Sequence, residues 1–125
     1  MAEETAQPKP AFVRDEDFAS LYANHVWYEL SVWDLKLIFG ETDQLQGPGT
    51  IVQHTSVSVS WLQAKLMAYF LQVNLAIYEN QNGPIRIPNA VLPPPPPATE
   101  AVEDETARAE ARKIADIYQR LIGAA

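Results

Sequence analysis

Residues 84–99 constrain the fold most, because Pro84, Pro88 and the unbroken run Pro93–Pro97 stand there. Each proline locks its backbone φ and removes an amide donor, so such a stretch enters neither a helix interior nor a hydrogen-bonded ladder. Five prolines in polyproline II geometry make a stiff rod of about 15 Å, at ~3.1 Å per residue. The chain therefore reads as separate parts: a leader over 1–17, a core domain over 18–87, a proline-rich linker over 88–99 and a C-terminal helix over 100–123. The leader carries Pro8 and Pro10 and few apolar residues, and reads as disordered; Phe12 and Phe18 are the side chains able to pin it to the domain.

Of the 125 residues, 47% are hydrophobic, which permits a packed core, but a small one once the polar and proline-rich ends are set aside. Small cores are marginal, and pairing with another chain is a common remedy. There is no cysteine, which excludes disulfides, thiolate metal sites and cysteine nucleophiles. A net charge of −7 disfavours nucleic acid as a partner, since that affinity comes largely from Lys and Arg neutralising phosphates. The acidic start has no apolar leader region, and the most apolar segment, 61–78, is interrupted by Gln63, Lys65, Gln72 and Asn74. No membrane span is expected, and the reading is a soluble cytoplasmic protein.

The core domain begins with alternation over 22–30: Tyr22, Asn24, Val26, Tyr28 and Leu30 share one face, and Ala23, His25, Trp27 and Glu29 the other. Ser31-Val32-Trp33-Asp34 reads as a tight turn in which Ser and Asp bond nearby backbone. Leu35, Leu37 and Phe39 alternate with Lys36 and Ile38 in a second strand ended by Gly40, and a polar loop over 41–49 leads to a third strand near 50–59. Ser60 is a good N-cap for a long helix over 61–80, which contains neither Gly nor Pro. Asn82-Gly83-Pro84 stops it, with Gly suited to an αL cap. The expectation is an α+β fold: a three-stranded antiparallel sheet followed by a long helix packed across it (β-β-β-α), then the linker and an amphipathic helix.

On a helical wheel, 61–80 has two apolar stripes. Leu62, Leu66, Tyr69, Phe70, Val73 and Ile77 form one; Ala64, Met67, Ala68, Leu71, Leu75 and Tyr78 form the other. One stripe suffices to cover a sheet, so the second must meet something else. Trp27 and Ile38 point away from the sheet's main apolar face, and Trp33 sits in a turn; such aromatics favour interfaces. Self-association is the expected result.

The C-terminal helix has a single stripe of Ala107, Ala111, Ile114, Ile117, Tyr118 and Leu121. Asp104–Arg108 and Asp116–Arg120 stand at the favourable i,i+4 spacing. A rigid rod is an odd connector for a helix that folds back on its own domain, so docking on a partner or bundling with copies is preferred. The interface expected overall comprises Trp27, Trp33, Met67, Leu71, Leu75, Tyr78, Ala111, Ile114, Ile117, Tyr118 and Leu121.

No Gly-rich phosphate loop, nucleophile elbow or H-E-x-x-H motif is present. His25 and His54 lie on different expected strands and meet only if strands one and three pair, with Glu29 or Asp34 completing a metal or acid–base site; a half-buried hydrogen-bonding role is commoner. No catalytic residue, metal ligand or cofactor follows from these residues.

Taken together, Tyr22-Ala23-Asn24, Ser31 with Asp34, Phe39-Gly40, Ser60 with Ala64-Lys65, Tyr78-Glu79 and Gly83-Pro84-Ile85 resemble a family of small prokaryotic proteins, domain of unknown function 3467, over residues 20–87. Trp61 departs from it where the family usually has proline, and Leu35 where phenylalanine often follows the aspartate. The resemblance implies a strand-strand-strand-helix module and no catalytic residues to carry over. It does not reach the tether or the last helix. The expected function is a non-catalytic oligomeric assembly protein, an adaptor, scaffold or accessory subunit whose tethered helix bundles with copies of itself or docks on a larger complex. A SecB-like chaperone or peptide-binding module, by fold-level analogy, and a small metal- or ligand-binding protein using His25 and His54 are the alternatives.

Overall fold

A computed structural model describes residues 8–42, 49–99 and 102–123. Three strands form one antiparallel sheet in the order β1-β2-β3: β1 is His25–Leu30, β2 Asp34–Glu41 and β3 Val52–Ser60. Helix α1 is Trp61–Asn82, a single 3-10 turn spans Asn89–Val91, and helix α2 is Glu105–Gly123. The expected α+β class and element order are those observed. Among the described residues no helix is long and apolar enough to cross a membrane.

Local chemistry explains most boundaries. The β1–β2 turn is held by Ser31, whose backbone N–H donates to Asp34 O (3.0 Å) while its hydroxyl donates to Asp34 Oδ1 (2.9 Å). Ser31 Oγ also accepts from Trp33 N at 3.1 Å and Asp34 N at 3.0 Å. Strand β1 starts at His25, not at 22, and Asn24 just ahead of it ties the chain to β2 with its side chain as well as its backbone N–H, which donates to Gly40 O (3.1 Å). Asn24 Nδ2 donates to Thr42 O and its Oδ1 accepts from Thr42 N, both at 2.9 Å. Thr42 ends the described part of the loop, most of which lies outside the described residues, as do the first seven residues of the leader. From 8 to 17 the leader has no helix or strand, and Phe12, 92% exposed, does not pin it.

In the register, Val26, Phe39 and Thr55 stand across the sheet on one face, followed by Tyr28, Leu37 and Val57, then Leu30, Leu35 and Val59. On the other face Trp27, Ile38 and Ser56 align, beside Glu29, Lys36 and Ser58, where opposite charges meet across strands. A bulge between Phe39 and Gly40 leaves His54 without a ladder partner. Gly40 is buried, and a Cβ there would lie 2.5 Å from Val52 O, so only glycine lets β3 approach at this point.

Ser60 is at once the last residue of β3 and the N-cap of α1, its hydroxyl accepting from Gln63 N at 3.1 Å. With no loop between them the helix cannot reverse over the sheet, and the expected packing across it is not found: no residue of α1 is buried. The helix comes close to β2 and β3 but not to β1. At its far end Gly83 N–H donates to Glu79 O (2.8 Å), and Glu79 Oε2 accepts from Ile85 N (2.8 Å). Gly83 has positive φ (88°), as expected for a glycine cap, but its ψ of 166° is extended rather than αL, which sends the chain straight on into Pro84.

Helix α2 begins at Glu105 rather than near Glu100, because Asp104 caps it: Asp104 Oδ2 accepts from Ala107 N at 3.0 Å. Glu100 itself lies outside the described residues. The Arg108 guanidinium donates through Nε and Nη2 to Val102 O (3.1 and 3.0 Å), so it ties down the entry to the helix instead of answering Asp104 along it.

Candidate interaction surface

Most of the motif residues quoted above do structural work. Asn24 clamps Thr42, Ser31 and Asp34 build the turn, Gly40 permits the bulge, Ser60 starts α1 and Glu79 with Gly83 ends it. Tyr22 contributes its carbonyl, which accepts from His54 Nε2 at 2.9 Å. A carbonyl can only accept, so Nε2 carries a proton, while Nδ1 meets Thr55 Oγ1 at 2.7 Å. His54 thus ties β3 to the segment before β1. The strand pairing that would join His25 to His54 does not occur, since β2 lies between β1 and β3. Among the described residues His25 Nδ1 is buried with no hydrogen-bond partner. Among the described residues no three His, Asp or Glu side chains gather to hold a metal ion.

Apolar surface is what the fold presents in quantity. Leu37, at the centre of the central strand and 6% exposed, is the only buried hydrophobic residue among those described. Both stripes of α1 are open to solvent, and they are not equivalent. Ala64 and Met67 are half-buried, whereas Leu62 on the opposite stripe is 71% exposed. The stripe carrying Met67 therefore leans toward the sheet over the first two turns, and Leu71, Leu75 and Tyr78 continue it uncovered. Trp33 is 86% exposed at the hairpin tip, and Trp27 is exposed on the sheet face opposite Leu37, so these two belong to separate surfaces.

The departure at Trp61 has a visible role: its indole Nε1 donates to Ser31 O at 2.9 Å, fastening the start of α1 to the hairpin turn. Proline has no side-chain donor for that bond. Sequence reasoning missed this contact because the partners are thirty residues apart.

Helix α2 does not fold back on the core domain. No part of it comes near the sheet or α1; it lies instead along its own tether. Tyr118 donates from its hydroxyl to Pro93 O (3.1 Å). Pro96 and Pro97 border a cleft with Ala107, Ala111 and Ile114, and the neighbouring prolines border another with Ala115 and Tyr118. The rod is thus the groove that the stripe required. Small alanines admit the proline rings closely, and their spacing beside a proline run is the signal that was available in the sequence. Ile114, Ile117 and Leu121, on the flank of the stripe, stay exposed, Ile117 at 62%.

One family model, described as protein of unknown function (DUF3467), matches residues 1–87, a span that includes the leader and ends before the rod and α2. No curated protein and no solved structure matches the chain.

Proposed function

Since the chain belongs to that family, and its family-matched part is a sheet and helix with almost no core, we propose that it is a non-catalytic assembly protein whose fold is completed by self-association. One observation carries this: Leu37 alone is buried among the hydrophobic residues described. Ordering each backbone residue costs roughly 1–2 kcal/mol, and apolar burial returns about 25 cal/mol per Å2. A sheet and a long helix left this open cannot offset that cost, whereas a second copy can cover the stripes of α1 and the sheet face around Leu37. The interface drawn from the core is Met67, Leu71, Leu75 and Tyr78 with the opposite stripe, and Trp27 and Trp33 serve as further anchors. The rod and α2 then act as one unit, offering Ile114, Ile117 and Leu121 to a bundle of copies or to a larger complex, as an adaptor or accessory subunit does. Cytoplasmic placement is part of the same reading.

Light scattering of the full chain, and of a chain ending at Ala90, tests it. Both are expected to have masses of two or more copies, with partner capture lost only in the shorter one. A full chain that is monomeric and cooperatively folded at micromolar concentration would sink the proposal; a monomer that binds unfolded clients would favour the peptide-binding alternative.

A further inference from the structure

The stripe of α1 away from the sheet runs unbroken through Leu62, Leu66, Tyr69, Phe70, Val73 and Ile77, all exposed. Tyr69 and Phe70 sit edge to face on it, ring centres 5.2 Å apart. Beside it runs a seam of Lys65, Gln72 and Glu79, spaced by seven residues, and these two end residues are the only charges in the helix. Seven residues are two helical turns, so the three stand in line, positive near the N-terminus, neutral at the middle and negative near the C-terminus. We propose that two copies pair their α1 helices antiparallel, across a two-fold axis passing by Gln72, with Lys65 of each facing Glu79 of the other.

Charge complementarity selects this orientation. A parallel pair in register brings two lysines to one level and two glutamates to another; the antiparallel pair makes two opposite-charge contacts and sets Gln72 against its own copy. Flanking charges of this kind decide orientation in paired helices. Glu79 keeps its bond from Ile85 N through Oε2, which holds the carboxylate at the helix end where the lysine arrives. The stripe is also the one that leans away from its own sheet, which leaves it open to a second helix.

This rests on the self-association proposed above, and the two are separable. The chain has no cysteine, so Gln72→Cys and Lys65→Cys each place one nitroxide per copy on the full chain at exposed positions. Pulsed dipolar spectroscopy is expected to give a short distance between the two labels at 72 and a long one between those at 65, because fourteen helical residues separate Lys65 from Glu79, about 21 Å along the axis. A dimer in which the labels at 65 are as close as those at 72 overturns the antiparallel pairing and leaves self-association standing. A monomeric mass by light scattering overturns both. As an unlabelled check, Lys65→Glu is expected to weaken the dimer by about threefold to tenfold, less so at high salt; an unchanged dissociation constant at low salt would also overturn the pairing.

Discussion

Two helices of similar length, α1 with 22 residues and α2 with 19, solve the problem of apolar surface in opposite ways. Helix α1 is apolar around most of its circumference, carries two charges and, among the described residues, meets its own chain only where its first turns approach β2 and β3. Helix α2 is charged on one face and apolar on the other, and its apolar stripe rests on the proline rod that precedes it. A short solitary helix is marginal in water and is held mainly by what its apolar face touches. Helix α2 finds that contact inside the chain, within a hairpin of rod and helix. Helix α1 finds little of it among the described residues. On the function proposed above, the difference separates a family-matched part completed by a second copy from an appended unit whose stripe is partly covered within the chain.

The largest expected effect is on self-association. Phe70→Glu places a charge in the contact proposed for α1 and should weaken the dimer by at least about 100-fold, some 3 kcal/mol, by sedimentation equilibrium. Ile117→Glu on α2 should leave the dimer of the core intact; equal loss from both substitutions would break the contrast. Next, replacing Pro94, Pro95 and Pro96 with glycine removes the surface under α2. Hydrogen exchange is expected to show α2 amides losing protection by about 1–2 kcal/mol while β2 amides keep theirs. Protected α2 amides in that variant would mean the rod is not its support.

Cap removal should distinguish the helices at the level of about 1 kcal/mol each. Ser60→Ala is expected to lower the main thermal transition, because that hydroxyl starts α1 at its junction with the sheet. Asp104→Ala should loosen α2 alone, seen in its exchange rates and not in the main transition. Smallest is Tyr118→Phe, which deletes one hydrogen bond to Pro93 and should cost α2 about 0.5–1 kcal/mol, again without moving the sheet.

What was legible in the sequence follows a physical pattern. The Ser31–Asp34 turn, the Ser60 cap, the stop at Gly83 and the faces of residues 25–30 and 35–39 rest on neighbours a few positions apart, and all were found where expected. The family-matched span could be recognised for the same reason, since its motif residues hold turns, caps and a bulge. Harder features depended on residues far apart. Strand β1 started late, just after a clamp in which Asn24 bonds Thr42 eighteen positions on. The packing of α1 was misjudged because periodicity shows that a face is apolar without showing what covers it.

By itself the sequence determined three strands, two helices, the rod between them and the apolar excess of the longer helix, because propensity, alternation and capping act within a few residues. Only the tertiary structure decided where the apolar faces went. It set α1 beyond the sheet because β3 runs into it with no loop, fastened the junction through Trp61 and Ser31, and laid α2 on the prolines. Apolar attraction has no direction of its own, so the partner of each face is chosen by chain connectivity and shape rather than by the residues of the face.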